Sequence, residues 1–146
     1  MSFSTTEALE EAVDRVDIKI NMKNHEDLVK LLFDKVCSLL AVKGIKLRFM
    51  SRKGMKTGSY TKAYINLQKK LITLDIYSPK TMKPLSINGL IRTIVHEIAH
   101  LQKPPYRQRH RGRWINRQHF PEFYKQVEKN LNKIKKDSIL GMHFRD

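Results

Sequence analysis

Cysteine is almost absent from this 146-residue chain: Cys37 stands alone, which excludes an intramolecular disulfide framework and any cysteine-rich zinc cluster. Tryptophan is equally scarce, with Trp114 the single example. No uncharged apolar run approaches the ~18 residues of a membrane span, and no N-terminal apolar stretch flanked by bases reads as a secretory signal. These absences lead us to expect an intracellular protein of the cytoplasm or nucleus, kept reduced and with no membrane partner. Acidic residues are also few, 14 against 29 Lys and Arg, for a net charge of +15. What remains is 40% hydrophobic, enough for one globular domain, expected as a monomer, that buries roughly two-thirds of its unfolded surface.

The charge is unevenly placed. Residues 1–17 hold five acids (Glu7, Glu10, Glu11, Asp14, Asp17) against Arg15, leaving +19 on the remainder. The chain therefore divides into an acidic arm, residues 1–23, and a basic domain, residues 24–146. Within the domain the stretch from Lys103 to Arg117 carries six bases and no acid, interleaved with Tyr106, His110, Trp114 and Asn116. Its arginines suit forked contacts to phosphate and its aromatics suit base stacking, so Lys103, Arg107, Arg109, Arg111, Arg113, Trp114 and Arg117 are candidate nucleic-acid contacts on a basic loop.

Hydrophobic period supplies the elements. From Asn24, a suitable N-cap, Leu28, Leu31, Leu32, Val36, Leu39 and Leu40 recur at helical spacing toward a stop near Lys43 and Gly44, with Glu26 and Asp27 in the first turn. The period then drops to two through Ile45, Leu47 and Phe49. After a basic turn at residues 51–58 it does so again through Ala63, Ile65 and Leu67, and then through Ile72, Leu74 and Ile76. Three short strands with short connections predict an antiparallel meander. Ser86 caps a second helix through Leu90, Ile94 and Ile98 that Pro104 and Pro105 end, and Pro121 opens a last helix through Phe123, Val127 and Ile134. The expected fold is α+β: helix, three-stranded antiparallel sheet, helix, basic loop, helix.

The second helix contains His96-Glu97-Ile98-Ala99-His100. Residues four apart stack one turn above each other, so His96 and His100 can offer imidazole nitrogens to one metal ion, zinc by the chemistry of the pattern. Glu97, rotated aside, can act as general base on a water activated by that ion, which then attacks a carbonyl. A catalytic zinc needs a third protein ligand. His119, at the entry to the last helix, is the expected one, with His110 and Glu122 as competitors. His25 and His143 read as ordinary surface or cap residues, and Cys37 as a buried thiol.

The segment from Leu90 to Val127, "LIRTIVHEIAHLQ…HFPEFYKQV", resembles the SprT/Spartan-like zinc metallopeptidase domain and its relatives in the WLM group. The match is close over about a quarter of the chain and loose over residues 24–136. The resemblance implies a gluzincin-like minimal core, zinc on His96, His100 and His119, and Glu97 as the base. It also implies a protein substrate bound or crosslinked to DNA. The eighteen residues between His100 and His119 exceed the family's expected gap, the excess being the Arg-rich stretch itself. Two alternatives compete with that reading: a non-catalytic, basic nucleic-acid-binding protein with a structural zinc closed by His110, and a metallopeptidase that cleaves a dedicated regulatory protein.

Overall fold

A computed structural model describes residues 23–50, 62–78 and 83–144. The acidic arm as far as residue 22 and the basic turn at residues 51–58 lie outside the described residues. The elements in chain order are helix α1 (residues 23–39), strands β1 (Lys46–Phe49), β2 (Ala63–Asn66) and β3 (Leu71–Leu74), helix α2 (Ile87–Gln102), strands β4 (Tyr106–His110) and β5 (Arg113–Arg117), and helix α3 (Pro121–Lys135). A 3-10 helix, Leu140–Phe144, follows. The fold is α+β, as its hydrophobic periods predict. Among the described residues no helix is long and apolar enough to cross a membrane.

The sheet corrects the expected meander. Its order is β1-β3-β2: β3 is central, antiparallel to β2 but parallel to β1. A tight four-residue turn, Leu67–Lys70, joins β2 to β3, with Lys70 in the left-handed region at φ 52°. The link from β1 to β2 is long enough to carry the chain from one edge of the sheet to the other. The most apolar strand takes the centre: Ile72, Thr73 and Leu74 are all buried, whereas β1 and β2 alternate exposed with half-buried residues.

Register divides the two faces. Leu47, Ile72 and Ile65 align across the three strands, as do Phe49, Leu74 and Ala63, on the core face. On the other face Arg48 donates from Nη2 to Tyr64 Oη (3.2 Å) and Thr73 Oγ1 (3.1 Å), lacing the strands with polar bonds.

Helix α1 packs on the core face through Val29, Leu32, Phe33, Val36 and Leu40. This is a second correction, because Leu28 and Leu31, read as core, are 44% and 68% exposed. Both residue sets have helical spacing, and packing selects the one that includes the bulkier Phe33. Asn24 is not the N-cap, since the helix already includes residue 23. Nor is His25 a surface residue. It is buried, its Nε2 is 3.0 Å from the carbonyl oxygen of Ile76, and its ring lies 5.2 Å from that of Tyr77. His143 is exposed as expected.

Helix α2 supplies the centre of the core with Leu90, Ile91, Ile94, Val95 and Ile98. Ser86 caps it, its Oγ accepting from the Gly89 amide at 3.2 Å. Helix α3 lies beside α2 and is fastened to its C-terminal turn by wholly buried Asn130, whose Nδ2 donates to Gln102 Oε1 at 2.6 Å while its Oδ1 accepts from Gln126 Nε2 at 2.9 Å.

Candidate metal centre and the hairpin beside it

Residues 103–117 do not form a loop. Strands β4 and β5 pair antiparallel over five residues each, Tyr106 opposite Arg117 through to His110 opposite Arg113. Arg111 (φ 51°) and Gly112 (φ 78°) form the turn, both left-handed, the geometry of a two-residue type I′ hairpin. Exposure on both faces removes the apolar alternation that marks a strand in sequence, and Arg-Gly is a weaker turn signal than Asn-Gly. The period-two placement of Arg107, Arg109, Arg111 and Arg113 beside Gly112 was the available clue.

The hairpin ends at the site. One residue, Gln118, separates β5 from His119, and His119 immediately precedes Phe120, the extended N-cap of α3 (φ −139°, ψ 166°). Pro121 begins the helix, and the His119 ring stacks at 6.1 Å on Tyr124 in the first turn. Contact between the residue before the cap and the fourth helical residue fixes the angle at which a chain enters a helix, and here it aims the imidazole.

The aim converges with α2. His96, His100 and His119 offer ligand atoms that all lie within 4.8 Å of one another, the only such group of three or more His, Cys, Asp or Glu among the described residues. Their ring centroids are mutually 5.0 to 5.1 Å apart, and Nε2 of His96 is 3.2 Å from Nε2 of His119. A tetrahedral zinc ion with bonds of about 2.0–2.1 Å separates its ligand atoms by about 3.3–3.4 Å, so the donor set fits a metal ion of that size. His110 and Glu122, the competing ligands, are outside the group. His110 sits at the far end of β4 and Glu122 faces solvent in the first turn of α3.

An aromatic floor supports the three rings. Phe123, wholly buried, stacks on His100 at 4.5 Å and meets the rings of His96 at 5.0 Å and His119 at 5.1 Å nearly at right angles. With Ala99 and Phe120 it forms a small cluster apart from the main core. The helical spacing of Phe123, Val127 and Ile134 puts Phe123 on the apolar stripe of α3; that this ring, four residues after His119, meets the histidines of α2 follows only from how the two helices pack.

Burial sets the protonation states. It lowers His96 below its ordinary range, helped by His119, and brings His100 down to about 4, helped by His96 and His119, so both rings are neutral near pH 7, the form that ligates metal. Burial raises the Glu97 carboxyl to about 7. Glu97 lines the same cleft as the three histidines, a space of about 380 Å³ walled by Ala63, Tyr64, Ile65 and Leu67 of the β2 region and closed by Pro105 and Gln118 at the base of the hairpin. β2 is an edge strand, paired only with β3 among the described strands.

The chain matches no family model and no curated protein. Among solved structures it is similar to the metallopeptidase zymogen abylysin of Pyrococcus abyssi, at 20% identity over 79% of this chain and 87% of that one, with a TM-score of 0.46.

Proposed function

We propose that this protein is a zinc-dependent endopeptidase of the SprT-like type, acting on DNA-associated proteins. The observation that carries the reading is the convergence of three imidazoles, two from α2 and one from the entry to α3, in a cleft that also buries Glu97 beside an edge strand. When bound, zinc would supply Lewis acidity, lowering the pKa of water and polarising the scissile carbonyl.

The chain's own residues do the rest. Glu97, its carboxyl buried in the same cleft as the three imidazoles, is placed to take a proton from the attacking water and return it to the leaving amine. The outer edge of β2, unpaired among the described strands, would offer backbone N–H and C=O groups to an extended peptide and so hold a carbonyl over the histidines by strand addition. Neutral His96 and His100 need lose no proton to bind the ion. The DNA-associated character of the substrate is supported by the resemblance around Leu90 to Val127 and by the basic hairpin that begins and ends at the cleft. A structural zinc closed by four protein ligands would need a fourth donor, and the convergent group among the described residues contains three.

Metal analysis and cleavage of a DNA-bound protein test the proposal together. Glu97→Gln should keep one zinc per chain and lose about 10²–10⁴-fold in kcat/KM, whereas His100→Ala should lose both metal and cleavage. A Glu97→Gln chain that cleaves at the parent rate would rule out the mechanism.

A further inference from the structure

The β4–β5 hairpin has two unequal faces. On one, Tyr106 packs edge-on at 5.0 Å against buried Phe120, Ile115 and Arg117 are half-buried, and Arg117 donates from Nε to Gln108 Oε1 at 2.9 Å. That face turns toward the body of the protein at its Tyr106 end, and it also carries Arg113 and Arg117, so strand register separates these two sequence-expected nucleic-acid contacts from Arg107, Arg109 and Trp114. The opposite face carries Arg107, Arg109, Trp114 and Asn116, every one exposed. Pairing sets Arg109 across from Trp114 and Arg107 across from Asn116, and the Arg107 guanidinium lies 5.3 Å over the indole ring. Arg111 continues the basic row at the turn.

An indole left 61% exposed on a two-stranded ribbon gives little to stability, and here it is flanked by arginines with no acid anywhere from residue 103 to residue 121. Cations around a largely exposed indole, with Arg107 over one part of its ring, match a ligand that is both polyanionic and aromatic. We propose that this outward face binds single-stranded nucleic acid, an unpaired base stacking on Trp114 while Arg107, Arg109 and Arg111 contact the backbone phosphates and Asn116 meets a base edge. Duplex fits less well, because its bases are already stacked on one another and offer the indole no free π-face. The inference refines the nucleic-acid part of the proposed function, on which it rests for its biological setting, but it is read without any peptidase step.

Trp114 is the only tryptophan, so its emission reports the site directly. Titrating the full chain with a fifteen-residue oligothymidylate should quench that emission. Anisotropy of the labelled oligomer should show Trp114→Ala weakening binding roughly ten-fold or more, with Trp114→Phe recovering much of the loss. Replacing Arg107 and Arg109 together by Gln should lower the slope of log Kd against log salt by about 1.4, two phosphate contacts on a single strand. Arg113→Gln, on the other face, should change Kd less than two-fold, and circular dichroism should confirm that each variant folds. The proposal is overturned if saturating oligomer leaves the emission unchanged, if a duplex of equal length or a polyglutamate competes as well as the single strand, or if Arg113→Gln costs as much as the Arg107 and Arg109 pair. Failure of this binding would leave the metal-dependent cleavage standing, and failure of cleavage would leave the binding standing.

Discussion

The cleft and the hairpin are chain neighbours built on opposite plans. In the cleft every group that needs a fixed position has core behind it: His96 and His100 ride on α2, whose inner face is wholly buried, and Phe123 underlies all three imidazoles. In the hairpin no residue is fully buried, and its order comes from ten residues bonding strand to strand. The difference teaches where each plan suits its task. Ligation of an ion tolerates errors of a few tenths of an ångström, which only packed elements can hold. Contact with a flexible polyanion needs the right side chains on the right face, and strand register alone provides that.

Substitutions that treat the two regions alike should give unequal results. Phe123→Ala is expected to cost about 3–5 kcal/mol of stability in urea unfolding and to weaken zinc affinity at least about ten-fold in a chelator competition. Ile115→Ala in the hairpin should cost less than about 1 kcal/mol and leave zinc affinity unchanged; equal losses would erase the distinction. Asn130→Ala leaves Gln102 and Gln126 without their shared partner and should cost about 1–3 kcal/mol, and a loss within error would show that the network is idle.

A gentler probe is pH. In metal-free protein the Glu97 pKa of about 7 stands above the ordinary 4.5, so the folded state keeps its proton longer than the unfolded state does. Stability from this group is therefore greatest below pH 4.5, falls as pH rises toward 7, and then levels. Relative to Glu97→Gln, the metal-free parent should lose stability across that window; a relative gain would mean that the carboxylate has a partner rather than a burial penalty. The smallest effect concerns Cys37, whose thiol is pushed up to about 11 by burial and then by the nearby charge of Asp34. Iodoacetamide at pH 7.5 should label it roughly a hundred-fold more slowly than an open thiol, followed by mass spectrometry.

What the sequence made legible was local. The apolar period of α2 and the spacing of His96, Glu97 and His100 belong to one helix, and His119 is marked by the Phe-Pro that follows it. What it hid depends on neighbours distant in the chain. Four-residue strands state which side chains share a face but not which strand lies alongside, so the parallel pairing of β1 with β3 carries no local signature. Val29 and Phe33 against Leu28 and Leu31 is a choice between two rotations of one helix, decided only by what α1 meets. His25 is buried because a carbonyl 51 residues away accepts its ring nitrogen. The hairpin has no such signature either, because a ribbon that buries no residue fully shows no hydrophobic alternation.

The placement of the hairpin between the second and third histidines also makes it part of a ring. An ion held by His100 and His119 would close a loop of eighteen intervening residues, and most of that loop is the β4–β5 ribbon. Cross-linking a loop of that length removes freedom from the unfolded chain worth about 3 kcal/mol in the chain-entropy account. Metal loading would thus act on the ribbon as a clasp acts on a strap, fastening the segments that lead into and out of it to the same atom.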